Sequence, residues 1–462
     1  MTMSYGLEQA VEKMRSAGVH DTAIAVFTRL YALVESNEDG YIHESEVTPL
    51  VDVPSLGDLP KASDGSALGR TALVRLNGGL GTSMGMTQAK SLLPVRGDKT
   101  FLDTIVNQVL DARTRYGIEL PLIFMNSFRT EEDTLRALAA YPELAVPGFP
   151  LSMLQNQEPK LRADDLTPVQ WPQDPSLEWC PPGHGDVYTV LQTSGVLDAL
   201  EAHGIEYINI ANADNLGAYP SADVAQWFAQ SDAPFAVEVA ERTPADRKGG
   251  HVVVRDGQLV LRETAQTAPQ DVEAAADISR HRYFNTNTLW LRVSALREAL
   301  GATQGVLELP LIKNLKTVDP TDSTSPEVIQ IEVAMGAAVQ VFPGATALHV
   351  DRSRFLPVKT TDDLLLVRSD VYELDEMFRL RARGPEPLIT LDPQHYKFVG
   401  DFEAAFSEGV PSLNGATSLT VSGPHSFGAN VRVEGEGRLT NDGDAITVPD
   451  GAVIDSDGFH TV

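Results

Sequence analysis

The sequence predicts an α/β chain. A Rossmann-like, mostly parallel sheet with helices on both faces is expected between a helical N-terminal segment and a β-rich tail. Three observations predict it. From Thr71 to about Leu380 short apolar runs alternate with helical patterns; a glycine-rich loop, "LNGGLGTSMG", directly follows the first run; and after "RARGPEP" (381–387) the texture turns to short β-rich pieces with glycine turns and no helical period. Alternating strand and helix patterns are what parallel sheets require, because each crossover needs a covering helix. At 462 residues the chain exceeds what one core usually spans. We divide it into a helical segment (1–55), an α/β domain (56–385) and a tail (386–462).

In chain order, apolar residues recur at helical spacing from Leu7 to about Val34. The following "ESNEDGYIHESE" sets Asn37, Asp39, Gly40, Ile42 and Glu46 as a calcium loop would, but Glu35 stands first and no second loop follows, so it reads as a polar connection. "TALVRL", "PLIFMN", "YINIAN" and "PFAVEVA" read as strands; "KTFLDTIVNQVLDARTRYG" and "DVYTVLQTSGVLDALEAHG" are helical patterns between them. "VVVRDGQLVLRE" is a hairpin turned at Asp256-Gly257. In the tail, "GANVRV", "GDAITV" and "DGAVID" repeat imperfectly, as coils of a parallel β-helix do.

The chain carries 36 Lys and Arg against 64 Asp and Glu, a net charge of −28. That argues against nucleic-acid and anionic-membrane surfaces, which need basic faces, but allows small anions wherever cations cluster locally. No apolar stretch reaches the roughly 18 residues of a membrane span. Glu8, Glu12 and Lys13 interrupt any signal-peptide pattern, and the single cysteine, Cys180, fits a reducing compartment. A cytoplasmic protein is expected.

Four glycines between Asn77 and Gly85 follow the first strand. Glycine lets backbone N–H groups approach a phosphate closely, and a lysine shortly beyond, Lys90, can set its ammonium against a transferring phosphate. The spacing is neither a Walker A motif nor the dinucleotide fingerprint: Gly79, Gly81 and Gly85 stand one residue too far apart for the latter. Asp214, just after the strand "YINI", lies at the carboxyl edge where open α/β sheets bind ligands, and suits Mg²⁺.

With these residues in view, the glycine stretch resembles the signature of the eukaryotic-type UTP–glucose-1-phosphate uridylyltransferases. Further matching blocks follow in order: "MNSF", "LQNQEPK", "PPGHGDVY", "NADNLGA", "KGGH" from Lys248, "FNTNTLW" and "RSRFLPVKTTDDLLLVRSD". The resemblance implies a nucleotidyltransferase (GT-A-like) domain with a left-handed β-helix tail, transferring uridylyl from UTP to α-D-glucose 1-phosphate with Mg²⁺ on Asp214. It implies Lys90 and Lys359 as catalytic cations. Leu76, Asn77, Gly78, Gly79, Gly81, Met125, Gln155 and Gly183 would hold the nucleotide. His184, Asn212, Gly250, Glu263, Asn287 and Lys359 would hold the sugar phosphate. Asn285 shares a face with Asn287 in a regular strand, and Asn215 reads as structural. Arg352 and Arg354 read equally well as structural or functional. Asp362-Asp363 reads as a helix cap followed by a first-turn acid. Two positions depart from the family pattern: Ala89 precedes Lys90 and Asp351 precedes "RSRF", each where proline is usual. The first is expected to loosen the Lys90 loop, the second to add a carboxylate near the metal. Rival readings are a uridylyltransferase for other sugar phosphates and a non-catalytic nucleotide-sugar sensor. The sequence leaves a homo-oligomer open.

Overall fold

The first apolar run, Thr71–Asn77 (β1), is buried at every position. In this computed structural model, which describes all residues except 1–2, 38–39, 244–245, 247–248 and 462, it is the middle of a mixed sheet. Leu122–Asn126 (β2) and Ser152–Leu154 (β3) continue to one side, and Tyr207–Asn212 (β4) lies on the other, all four parallel. Strands covered on both faces need no polar alternation, which is why these runs read as continuously apolar. The other half contains Phe235–Glu241 (β5), the hairpin strands His251–Arg255 (β6) and Gln258–Arg262 (β7), the long strand Tyr283–Arg292 (β8) and Thr346–His349 (β9). β8 joins the halves, running antiparallel to both β4 and β5. The hairpin turns at Asp256 (φ 51°) and Gly257 (φ 78°), the two left-handed residues of a type I′ turn.

Helix 101–116 starts on a Thr100–Asp103 capping box and stops at Gly117 with φ 65°, a pairing of cap and left-handed glycine that fixes both ends. Two stretches of helical pattern each form a pair of helices. The N-terminal pattern forms Tyr5–Ser16 and Asp21–Glu35, with Gly18 at φ 75° between them. "DVYTVLQTSGVLDALEAHG" forms Val187–Thr193 and Val196–Ala202, parted by Gly195 at φ 78°. Periodicity survives such a break, so it did not reveal it. In the calcium-like stretch, Ile42 is buried and bridges to Thr267, while Asp39 lies outside the described residues.

The tail pairs in parallel: Leu388–Leu391 on Ser412–Ser422, that strand on Arg432–Thr440, and this on Val453–Asp455, with His425–Phe427 on Ile446–Val448 beside them. Its inward residues Leu419, Val421, Val433, Leu439 and Ile454 do not form a separate core. They belong to one cluster with Met84, Met86 and Leu93 from the glycine loop and Leu356 and Val358 from the loop before Lys359. Among the described residues no helix is long and apolar enough to cross a membrane.

Candidate active site

β1, β2 and β4 end on the same edge of the sheet, and the chain there opens a cleft of about 310 Å³. Its wall includes Leu76, Asn77, Gly78, Gly79, Lys90, Met125, Gln155, Gly183, His184, Asn212 and Asp214, all expected from the sequence, together with Ser91, Pro181, Ala213 and Glu332. The glycines serve close approach. A Cβ on Gly78 would stand 2.8 Å from Gln155 Oε1, and one on Gly183, at φ 80°, would stand 2.6 Å from the Val333 carbonyl. Gln155 Nε2 donates to the Gly183 carbonyl at 2.8 Å, so two blocks far apart in sequence meet. Asn77 spends its amide on Asn126 Oδ1 and Thr134 Oγ1, both at 2.8 Å; it shapes the end of β1 and leaves its backbone to the cleft. Gly81 is not on the wall. Its left-handed turn (φ 66°) passes beneath Lys90, where a Cβ would sit 3.3 Å from Lys90 Cγ.

A second pocket of about 140 Å³ adjoins the first, and the two share Asn212 and Asp214. Its wall contains the expected Gly250, Glu263, Asn287 and Lys359, with Asn215, Gly249, Phe284, Asn285, Thr286, Phe355 and Pro357. β8 is not the regular strand that the sequence suggested here. The pairing with β5 slips between Glu238 and Val239, and Asn287 takes φ 54°. Asn tolerates this left-handed conformation, and the bulge turns its amide to the pocket. Asn285 fixes it, donating from Nδ2 to Asn287 Oδ1 at 2.9 Å and accepting the Asn287 N–H at 3.1 Å. A Cβ on Gly250 would collide with Glu263 Oε2 at 2.6 Å. Burial raises the Glu263 carboxyl pKa, and Lys359 opposes that rise. Lys359 Nζ stands 5.8 Å over the Phe284 ring.

At the wall between the pockets, Lys90 Nζ and Asp214 Oδ2 are 2.6 Å apart. His184 faces the same cleft as a neutral imidazole: burial lowers its pKa to about 4. Its Nδ1 accepts the Met335 backbone N–H at 2.8 Å, so the ring proton is on Nε2, available as a donor.

Several expectations are corrected. Asp351 lines neither pocket; its carboxylate accepts the Ser353 N–H at 2.8 Å and caps the turn 352–354. Ala89 is wholly buried at φ −54°, a value a proline ring would also hold, so the loop keeps the backbone path that a proline would set. Arg354 makes a buried bidentate pair with Glu238 at 2.6 and 2.9 Å, and Arg352 pairs with Asp246 at 2.7 Å; both are structural. The helix cap before 361 is Thr360, not Asp362: Asp363 completes a capping box with Thr360, while Asp362 accepts the Leu391 N–H at 3.1 Å. Asn215 holds the Lys359 approach, accepting from Leu356 N–H at 2.9 Å and donating to the Arg354 carbonyl at 3.2 Å. Lys248 lies outside the described residues. Glu332 was missed, having no neighbour in sequence that marks it; Ser91 stands beside Lys90 but was not singled out.

An open α/β sheet with a glycine loop and a lysine at its carboxyl edge, and a second pocket sharing one aspartate, defines a two-substrate transferase acting on a nucleotide. Comparison with known proteins narrows the class. Residues 24–434 match the family model described as UTP–glucose-1-phosphate uridylyltransferase. The chain is 38% identical over 434 residues to the Pyrus pyrifolia UTP–glucose-1-phosphate uridylyltransferase, covering 91% of this chain and 90% of that one. It is 37% identical over 398 residues to the Saccharomyces cerevisiae enzyme of the same name, covering 85% and 78%. Among solved structures it resembles a Leishmania major UDP-glucose pyrophosphorylase variant in complex with UDP-glucose, with TM-score 0.92, 39% identity and 98% and 99% coverage. The chain belongs to the UTP–glucose-1-phosphate uridylyltransferase family.

Proposed function

We infer that the protein transfers uridylyl from UTP to α-D-glucose 1-phosphate, releasing pyrophosphate and forming UDP-glucose. One observation carries this reading: a glycine-lined cleft and a side-chain-lined pocket meet at Asn212 and Asp214, with Lys90 in the wall of one and Lys359 in the wall of the other. A phosphate oxygen of the sugar phosphate attacks the α-phosphorus in line as pyrophosphate departs, and the protein's part is positioning and charge neutralisation. Gln155 and Gly78 read the base while Met125 packs on it. Lys90 stabilises charge on the transferring phosphate and His184 donates from Nε2. Asn287, Glu263, Asn212 and the Gly250 backbone hold the sugar, and Lys359 holds its phosphate. The sugar phosphate is already ionised at neutral pH, so no general base is required.

Mg²⁺ fits this donor set. Among the described residues no group of three or more His, Cys, Asp or Glu could hold a metal, while Asp214 offers one hard carboxylate where substrate phosphates would gather. Mg²⁺ is commonly bound by one or two carboxylates plus phosphates. When bound it would neutralise phosphate charge. The parallel coil pairing of the tail supports a β-helix that serves packing or assembly, and the single thiol and acidic surface support a cytoplasmic location.

The test is pyrophosphate release from UTP with Mg²⁺ and a panel of sugar 1-phosphates. Preference for glucose 1-phosphate is expected. Preference for an N-acetylhexosamine 1-phosphate, or UDP-glucose binding without turnover, overturns the reading.

A further inference from the structure

Gln155 carries an ambiguity that the site must resolve. A primary amide presents a donor and an acceptor, and a half-turn exchanges them. In one orientation it matches the uracil edge; in the other it matches the cytosine edge, where the acceptor and donor at N3 and the exocyclic group are reversed. One contact selects the orientation: Nε2 donates to the Gly183 carbonyl at 2.8 Å, and Oε1 lies toward Gly78. After a flip, two oxygens would face each other. The selection holds only while the segment of Gln155 stays aligned with that of Gly183.

Each segment has its own backbone anchor, Gln155 N–H donating to the Asn126 carbonyl at 2.7 Å and Val333 N–H to the Pro182 carbonyl at 3.0 Å, but backbone pairing between the two segments does not reach Gln155. The two segments run antiparallel, with Glu158 opposite Cys180 and Pro159 opposite Trp179. Gln155 faces Gly183 in continuation of this register, but Pro181 and Pro182 intervene without N–H groups and the ladder stops. A side chain takes over. Asp186 accepts the Asn156 backbone N–H at 2.8 Å on Oδ2, and Asn156 Nδ2 at 2.9 Å on Oδ1 and 3.1 Å on Oδ2. Asp186 is only 5% exposed, and among the described residues Asn156 supplies every hydrogen bond to its carboxylate. Burying a carboxylate costs several kcal/mol unless its acceptors are filled. Here the filling groups all belong to the residue next to Gln155.

We propose that Asp186 is a positioning residue for base selection: through Asn156 it holds the Gln155 amide in the orientation that accepts uracil and refuses cytosine. This rests on the reading that Gln155 meets the base. Asp186→Ala removes both acceptors, leaving the Asn156 N–H and amide unheld. The kcat/KM ratio for UTP over CTP is then expected to fall about tenfold or more, with the glucose 1-phosphate KM unchanged. Asn156→Ala, which leaves the carboxylate its backbone bond, should lower the ratio less. The exchanged pair Asn156→Asp with Asp186→Asn restores an amide–carboxylate contact and should recover most of the ratio, which a merely structural role would not require. Circular dichroism checks each fold; if Asp186→Ala fails to fold, Asn156→Ala and the exchanged pair decide. An unchanged ratio in folded Asp186→Ala, or an exchanged pair no better than Asp186→Ala, overturns the proposal. Gln155→Ala separates the two failures: if it keeps the ratio, the reading of Gln155 falls too; if it loses the ratio while the Asp186 and Asn156 variants keep it, only this inference falls.

Discussion

The two pockets are built by different means. The cleft proposed for the nucleotide combines bare backbone at Gly78, Gly79 and Gly183 with side chains such as Met125, Gln155 and His184, and Lys90 stands beside them. The sugar pocket is mostly side chain: a bulged strand turns Asn287 inward, a hairpin supplies Glu263, and Lys359 comes from a separate loop. At Gly78 and Gly183 the first tolerates no added atom, since a Cβ would stand 2.8 and 2.6 Å from its neighbours. A pocket of side chains is selective and can be dismantled one group at a time.

The largest effect should fall where the comparison breaks down, at the shared wall. Asp214→Asn is expected to lower turnover by upward of about 10³-fold, since a neutral amide is a poor hard-cation ligand. Recovery at high Mg²⁺ would sharpen the assignment, and full activity at ordinary Mg²⁺ would move the metal elsewhere. Next come the two cations, one per pocket. Lys90→Ala should cost about 10²–10³-fold in kcat with little change in UTP affinity, as loss of transition-state charge stabilisation does. Lys359→Ala should raise the glucose 1-phosphate KM as well as slow the reaction. Steady-state kinetics with each substrate varied will show whether the split follows the pockets.

Asn287→Gly keeps the left-handed backbone while deleting the amide. It should cost about 1–3 kcal/mol in kcat/KM for glucose 1-phosphate and leave the UTP KM alone. A UTP KM that rises equally would show that the pockets are not separable.

The remaining effect is on stability, not turnover. His184 has a pKa of about 4 in the fold, against roughly 6.5 in the unfolded chain. As pH falls below about 6.5 the unfolded state takes up this proton first, so the contribution is complete above 6.5 and lost progressively toward 4. His184→Asn, whose Oδ1 can still accept from Met335, should remove up to about 3 kcal/mol of this acid loss. Denaturant unfolding at pH 4.5 and 7 measures it; an unchanged difference means His184 does not titrate as described.

The contrast between the pockets also explains what could be read from residues alone. The strand β1, its glycines and Lys90 are contiguous, and physical rules about backbone approach and helix–strand alternation act locally. Helix breaks at Gly18 and Gly195 escaped because an apolar period continues across a single left-handed residue. The Asn287 bulge is a matter of pairing register with β5, which one strand's sequence does not contain. Asp351 looked like a metal neighbour by its place beside a motif, yet its carboxylate was already committed to Ser353, two residues away. Glu332 and Asp186 reach the cleft or its supports only through tertiary contact.

The hydrophobic cluster that joins Met84, Met86 and Leu93 to Leu356, Val358 and the tail residues Leu419 and Val433 has a consequence for motion. Native proteins open in cooperative units, each with its own opening free energy. The loops that carry Lys90 and Lys359 are rooted in the same unit as the tail coils, whereas β1, β2 and β4 anchor in other clusters. Hydrogen exchange is therefore expected to give the amides of these two loops a protection level shared with the tail, distinct from that of the sheet beneath.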